Sequence, residues 1–290
     1  MNDLPKENQN YDAGLVWILS YNCNLNCSYC IQNFLIKKGL ITKKILKIDI
    51  SALQKTLSET NKIFKIDLGG GEPFLIPNII EACSELTKNN FVSIFTNLTS
   101  EKVKEFVEKI NPERVSLINA SLHIKELEKH KLLDKYISNF HLLKKNGFNI
   151  KAVEVADPHI INEVKKYKKF FKKKGILLEF MPFVGKYKGK IYPASYTEKE
   201  LKVFGINKKQ IAMYYQKGNF CHGGYNVVFA DPKGDLFGCA YLKKKIGNVY
   251  EKIRFNDNIS RCPFEFCPCG LDSDLYLYKK AIRETKSTNS

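Results

Sequence analysis

YNCNLNCSYC, Tyr21 to Cys30, places three of the chain's nine cysteines within eight residues. No histidine lies near them. A structural zinc takes four protein ligands in a closed tetrahedron, and the near sequence offers three. Thiolates suit zinc, copper(I) and iron–sulfur clusters. A four-iron, four-sulfur cluster usually takes four cysteines; held by three, it keeps one iron open to a small chelating ligand. The stretch directly follows GLVWILS, Gly14 to Ser20, a near-continuous apolar run of the kind a strand buried on both faces shows. The cysteines therefore belong at the C-terminal end of a first strand.

Working outward, short apolar runs alternate with longer lysine-rich helical patterns. SALQKTLSE follows, with Ser51 and Gln54 placed for a capping box. KIFKIDLGGGEP (Lys62 to Pro73) reads as a second strand ending in glycines, and NIIEACSEL (Asn78 to Leu86) as a helix with Cys83 on its apolar face, a core thiol. FVSIFTN, RVSLINASLH, NIKAVEVAD and ILLEFMPF supply strands three to six, ending at Asn97, His123, Asp157 and Phe183. VKEFVEKI, LLDKYISNFHLLKKN and the run around KKYKKFFKKK (Lys165 to Lys174) supply the helices between them. Strands alternating with helices imply a parallel sheet with right-handed crossovers. The expected fold is α/β, a partial (β/α)6 barrel similar to a TIM barrel over residues 12–183. Chemistry in such barrels gathers at the strand C-termini, where Cys23, Cys27, Cys30, Gly69 to Glu72, Thr96, Asn97, Ser121 and His123 stand.

After residue 184 the pattern changes. GKYKGKIYPASY has no clear period, so 184–220 reads as a linker or loop. YNVVFADPKGDLFGCAYL (Tyr225 to Leu242) reads as a β-hairpin turning at Asp231-Pro232-Lys233-Gly234. Residues 221–290 form a small cysteine-rich extension holding Cys221, Cys239, Cys262, Cys267 and Cys269.

The net charge of +17 raises the question of nucleic acid. Only Arg114, Arg254, Arg261 and Arg283 are Arg among the 47 basic residues. Bidentate phosphate and guanine recognition favours Arg, so a solvated lysine surface is the simpler reading and a nucleic-acid partner is not expected. The polar N-terminus MNDLPKENQN carries no apolar signal segment, and the longest apolar runs are too short to span a bilayer. A cytoplasmic protein without a membrane partner is expected. Its thiols would then be reduced, and clustered thiols there point to metal or catalysis.

Cys23-x3-Cys27-x2-Cys30 at the end of a first strand, with Gly70-Gly71-Glu72-Pro73 after the second, resembles the radical S-adenosylmethionine (radical SAM) superfamily over about residues 12–183. The resemblance implies a SAM-binding 4Fe-4S cluster on Cys23, Cys27 and Cys30. It implies that SAM, on the open iron, is reductively cleaved to methionine and a 5′-deoxyadenosyl radical that takes hydrogen from a substrate. It places Tyr29 near the adenine, Gly70, Gly71 and Glu72 at the methionine amino group, and Ser121 and Asn97 at polar positions around the ribose or carboxylate. Val155 would flank the adenine. No catalytic residue beyond these is assigned. A reductant such as flavodoxin or ferredoxin is implied as a partner.

Cys221-x12-Gly234-x4-Cys239 resembles the opening of the SPASM and Twitch extensions of that superfamily, which carry auxiliary iron–sulfur clusters. Beyond it only Cys262-x4-Cys267-x-Cys269 remains. Five cysteines cannot supply two all-cysteine clusters, so one auxiliary cluster is expected, on Cys221, Cys239 and two of the last three. A peptide-modifying enzyme and a small-molecule enzyme, acting for example on a sugar, are both compatible. About a dozen residues precede the first strand, so no leader-binding domain is expected, and a peptide substrate would be short or call for a separate recognition protein. RNA modification and a non-catalytic zinc protein are the alternatives; the second leaves Gly70 to Pro73 without a purpose.

Overall fold

The computed structural model describes residues 9–242, 244–267 and 274–287. Six βα units build the first part. Strands β1 (Ala13–Ser20), β2 (Phe64–Gly70), β3 (Phe91–Thr96), β4 (Val115–Ser121), β5 (Ile150–Ala156) and β6 (Leu178–Pro182) alternate with helices. The helices are α1 (Ile31–Lys37), α2 (Ile50–Glu59), α3 (Ile79–Leu86), α4 (Lys102–Lys109), α5 (Ile124–Lys129), α6 (Leu133–Lys145) and α7 (Val164–Lys173). The strands lie side by side in chain order, all parallel. This is the partial barrel the alternation predicts.

Side-chain alternation assigns the two faces of the sheet. Leu15, Trp17, Phe64, Ile66, Leu68, Val92 and Ile94 join the main core with Leu53, Leu57, Ile79, Cys83 and Phe106 of the covering helices. Each such side chain, fully buried, contributes about 2 kcal/mol. Cys83 is wholly buried, as a core thiol should be, and burial pushes its pKa up to about 12. In α7 Lys165, Lys166, Lys169, Lys172 and Lys173 are exposed while Val164, Tyr167 and Phe171 are buried. Helix α2 departs from the expected cap. Asp49, not Ser51, is the N-cap, and its Oδ1 accepts from the Ala52 N–H at 3.0 Å. The helix starts one residue before Ser51, which puts that hydroxyl in the first turn.

Residues 184–220, expected as a loop, carry regular structure. A short hairpin joins β7 (Gly185–Tyr187) to β8 (Lys190–Tyr192), and α8 (Glu198–Phe204) and α9 (Lys208–Ala212) follow. Both helices start with capping boxes, Thr197 with Glu200 and Asn207 with Gln210. Those motifs stand in the sequence; the shortness of the helices hid their apolar period.

The cysteine-rich tail shares the barrel's sheet. After β9 (Phe220–Cys221) come β10 (Val227–Ala230), β11 (Asp235–Phe237) and β12 (Lys245–Asn248), then β13 (Ser260–Arg261) and helix α10 (Leu275–Ser287). The expected hairpin is β10 and β11, antiparallel. Its turn is held by Asp231, which accepts from Lys233 and Asp235 N–H groups, and Gly234 supplies φ +81°. β10 also pairs parallel with β1, from Gly14 opposite Val227 to Trp17 opposite Ala230. The nine-stranded sheet thus runs β12-β11-β10-β1-β2-β3-β4-β5-β6. This sheet continues across residue 220, where the cysteine-rich extension begins.

On the second face Leu277 of α10 packs with Tyr11, Phe91, Val227 and Phe229. Asp274, just before α10, accepts from the Tyr11 hydroxyl and pairs with buried Lys65 at 3.0 Å, while Asp67 lies 3.4 Å from the same ammonium. Both carboxylates hold the Lys65 pKa up against the effect of burial. Asp274→Ala removes the nearer of the two Lys65 partners, the Tyr11 acceptor and the cap on the Leu277 N–H. It should cost about 3 kcal/mol in urea denaturation, and Asp274→Asn should cost less.

Candidate active site at the strand C-termini

The cysteine loop begins where β1 ends and is stitched to the ends of four other strands. At the end of β2, Gly71 N–H donates to the Ser20 carbonyl (2.7 Å) and Glu72 N–H to the Asn22 carbonyl (2.8 Å). A Cβ on Gly71 would overlap the Asn22 carbonyl, and Gly70 sits at φ +123° with its own Cβ position against the Ser20 carbonyl. Glycine is required at both positions because the chain's own backbone passes there.

Glu72 is buried. Its carboxylate accepts from Phe74 N–H (3.1 Å), the Thr96 hydroxyl (2.7 Å) and Asn97 N–H (2.8 Å). Burial raises its pKa, and the three donors oppose that shift. The side chain expected at a ligand's amino group is therefore engaged in joining the ends of β2 and β3. Asn97 continues the network. Its Nδ2 donates to Asn24 Oδ1 (2.8 Å) and lies 3.8 Å from Cys23 Sγ. Asn24 in turn donates to the Thr99 hydroxyl.

Among the three thiols, Cys23 accepts from the Leu25 N–H at 3.4 Å, Cys27 is buried, and Cys30 opens α1 as its N-cap. Burial pushes the Cys23 pKa up to about 11, with the Leu25 N–H opposing. Burial raises Cys27 further, and the negative charge of Cys23 and Cys30 adds to it. Among the described residues no three metal-binding side chains close tightly on a single ion. Cys23 and Cys27, protonated as thiols at neutral pH, become thiolates when a cationic group arrives, so binding releases protons. Three soft sulfurs with N–H donors on one of them fit an iron–sulfur cluster.

Tyr29 reaches the ends of β4 and β5. Its hydroxyl lies 2.8 Å from His123 Nδ1 and 3.3 Å from Glu154 Oε1. Glu154 also accepts from Ile124 N–H (2.7 Å) and Val155 N–H (2.8 Å). Burial lowers the His123 pKa to about 4, so the ring is neutral at pH 7. A hydroxyl has one proton. With His123 protonated on Nδ1, that N–H donates to the Tyr29 oxygen and the hydroxyl donates to Glu154. His123 takes a left-handed φ of +45° to present this nitrogen. His123 stood among the strand-end residues without an assigned role, and Glu154 was not among the sequence candidates; a carboxylate within the apolar run KAVEVA was the available signal. Ser121 and Val155 are half-buried at the ends of β4 and β5, with Ser121 Oγ 3.4 Å from Asn119 Oδ1.

A second cysteine group forms where the tail folds back. Pairing of β9 with β13 sets Cys221 opposite Ser260, two residues from Cys262. The hairpin returns Cys239, and Cys267 completes the lining of a cavity of about 180 Å³. Gly223 N–H donates to Cys221 Sγ and Tyr241 N–H to Cys239 Sγ. Cys221, Cys239 and Cys262 are free thiols. Cys267 is buried in that lining, and Cys269 lies outside the described residues.

Comparison with known proteins agrees with this geometry. The model of the radical SAM superfamily matches residues 17–171, and the chain belongs to that superfamily. It is 24% identical over 280 residues to GTP 3',8-cyclase of Aquifex aeolicus, covering 82% of this chain and 85% of that protein. It is 21% identical over 284 residues to AdoMet-dependent heme synthase of Methanosarcina barkeri, covering 82% and 79%. Among solved structures, anSMEcpe with bound AdoMet superposes with a TM-score of 0.61 at 20% identity, covering 82% of this chain and 78% of that one. The protein is a radical SAM enzyme. Among the described residues no helix is long and apolar enough to cross a membrane.

Two measurements probe the site. Gly71→Ala should break the crossing of the two loops and lower iron uptake on anaerobic reconstitution at least about tenfold, while Gly69→Ala, whose added methyl meets only ordinary contacts at 3.8 Å, should not. Burial pushes the Glu154 pKa up to about 7 against an unfolded value of 4.5. The native state therefore holds a proton that the unfolded state releases. That contribution is complete below pH 4.5 and is lost as pH rises through 7. The change is about 3 kcal/mol. Urea denaturation across this range should show the decline in the parent and a flatter profile in Glu154→Gln.

Proposed function

We propose that Cys23, Cys27 and Cys30 hold a 4Fe-4S cluster with one iron left to S-adenosylmethionine, and that the enzyme abstracts hydrogen from a peptide or a small metabolite such as a sugar. The observation that carries this reading is the crossing of the cysteine loop with the Gly70–Glu72 turn through shared backbone hydrogen bonds. It fixes three thiols and a glycine turn together at the strand C-termini. When bound, the cluster supplies the electron that cleaves SAM to methionine and a 5′-deoxyadenosyl radical. The chain's own residues do the rest. The Leu25 N–H and the Asn97 amide stabilise negative charge on Cys23. Glu72 holds the ends of β2 and β3 in register beside the glycine turn. Tyr29, tethered by its hydroxyl, offers its ring for the adenine, Val155 would flank the adenine, and Ser121 and Asn97 would serve the ribose or carboxylate.

One auxiliary 4Fe-4S cluster belongs to the second cavity, on Cys221, Cys239 and two of Cys262, Cys267 and Cys269. Superfamily relatives support both substrate classes. GTP 3',8-cyclase is named for a nucleotide, and SuiB of Streptococcus suis has been solved with its precursor peptide SuiA. A flavodoxin or ferredoxin would supply electrons in a cytoplasmic setting, and a peptide substrate could arrive with a separate recognition protein.

Anaerobic reconstitution, then SAM and dithionite with 5′-deoxyadenosine followed by mass spectrometry, tests the reading. The parent should form product. A Cys23→Ala, Cys27→Ala, Cys30→Ala variant should form none while keeping the iron of the auxiliary site. Stoichiometric zinc with no iron in either protein would overturn the cluster assignment.

A further inference from the structure

We infer that residues 31–47, which follow the third loop cysteine, are the docking surface for an acidic electron-carrier protein; this rests on the reading of Cys23, Cys27 and Cys30 as cluster ligands. Helix α1 has no buried residue. Ile31 is 65% exposed, Phe34 54%, Leu40 68% and Ile45 41%. Single exposed apolar side chains are ordinary, but four within fifteen residues make a patch. Around them stand Lys37, Lys38, Lys43, Lys44 and Lys47, all exposed, and the segment contains no acidic residue. An apolar centre with a rim of one charge sign fits a partner of the opposite sign.

The segment is anchored rather than loose. Asn33 Nδ2 donates to Asn26 Oδ1 (2.9 Å) and to the Cys27 carbonyl (3.4 Å), and Phe34 N–H donates to the Cys30 carbonyl (3.2 Å). At the far end the Ser20 hydroxyl holds the Lys44 carbonyl, and Ile48 is buried. The outward face is thus presented by a support that includes the cluster loop. A seven-residue helix is about 10 Å long at 1.5 Å per residue, so a protein seated on α1 lies within about that distance of Cys30. Transient redox encounters use small interfaces steered by opposite charge, and this patch has that form. In the transfer, a flavin hydroquinone loses one electron to become the semiquinone and the oxidised cluster gains it.

The test is stopped-flow bleaching of the reconstituted full-length protein's visible absorbance. The reductants are pre-reduced flavodoxin, which is acidic, and dithionite. The variants are Lys37→Glu, Lys38→Glu, Lys43→Glu, Lys44→Glu combined, and Phe34→Ser. With flavodoxin the charge-reversed protein should react at least about tenfold more slowly and lose most of its salt dependence. Phe34→Ser should slow the reaction without changing that dependence. With dithionite all three proteins should agree within about twofold. Equal slowing with both reductants, or an unchanged flavodoxin rate, overturns the proposal, as does a parent bleached by dithionite and not by flavodoxin. A parent that takes up no iron overturns the cluster reading and the docking surface with it.

Discussion

The passage of Gly71 against the Asn22 carbonyl is the contact on which the site depends. Two loops that follow different strands cross with no room for a side chain, and they share two backbone hydrogen bonds, Gly71 to Ser20 and Glu72 to Asn22. The cysteine loop has little regular structure of its own. Its shape comes from this crossing and from buried Leu25 beneath it. The spacing of three cysteines becomes a geometry only because the glycine turn lies against them.

Two buried carboxylates extend the same logic around the barrel mouth. Glu72 joins β2 to β3 by three accepted hydrogen bonds, and Glu154 joins β5 to the start of α5 and to Tyr29. Burying a carboxylate is costly unless donors surround it, so each marks a place where strand ends must be held to a fixed relation. Burial raises both pKa values, and that of Glu154 reaches about 7. These groups act on the loop's position, while the half-buried Ser121 and Val155 remain open on the neighbouring strand ends.

The tail is part of the same structure. β10 extends the barrel sheet beyond β1, and Trp17 Nε1 donates to the Asp231 carbonyl in the hairpin turn. The second cysteine group is thereby hung from the strand that carries the first. On the other face α10 brings Asp274 to Lys65 and Leu277 to Val227. An ion pair this deep is held by geometry as much as by charge, and it fixes where the chain's last helix lies.

Much of this was legible from the residues alone. The alternation of short apolar runs with amphipathic lysine-rich segments determined the six βα units, because strand and helix periods differ. C-x3-C-x2-C with the glycine run pointed to the chemistry, since few sites combine three thiols with a close backbone approach. Asp49 as the cap of α2 and the short helices α8 and α9 were not read. Local patterns there were brief or ambiguous. Other features were settled by tertiary structure alone: the parallel pairing of β10 with β1, the burial of Asp274 beside Lys65, and the meeting of Tyr29, His123 and Glu154. These join residues far apart in the chain: Lys65 and Asp274 are 209 positions apart, and Tyr29 and Glu154 are 125 apart. A sequence records periodicity and spacing along the chain, whereas contacts between distant segments are fixed only when the whole core packs.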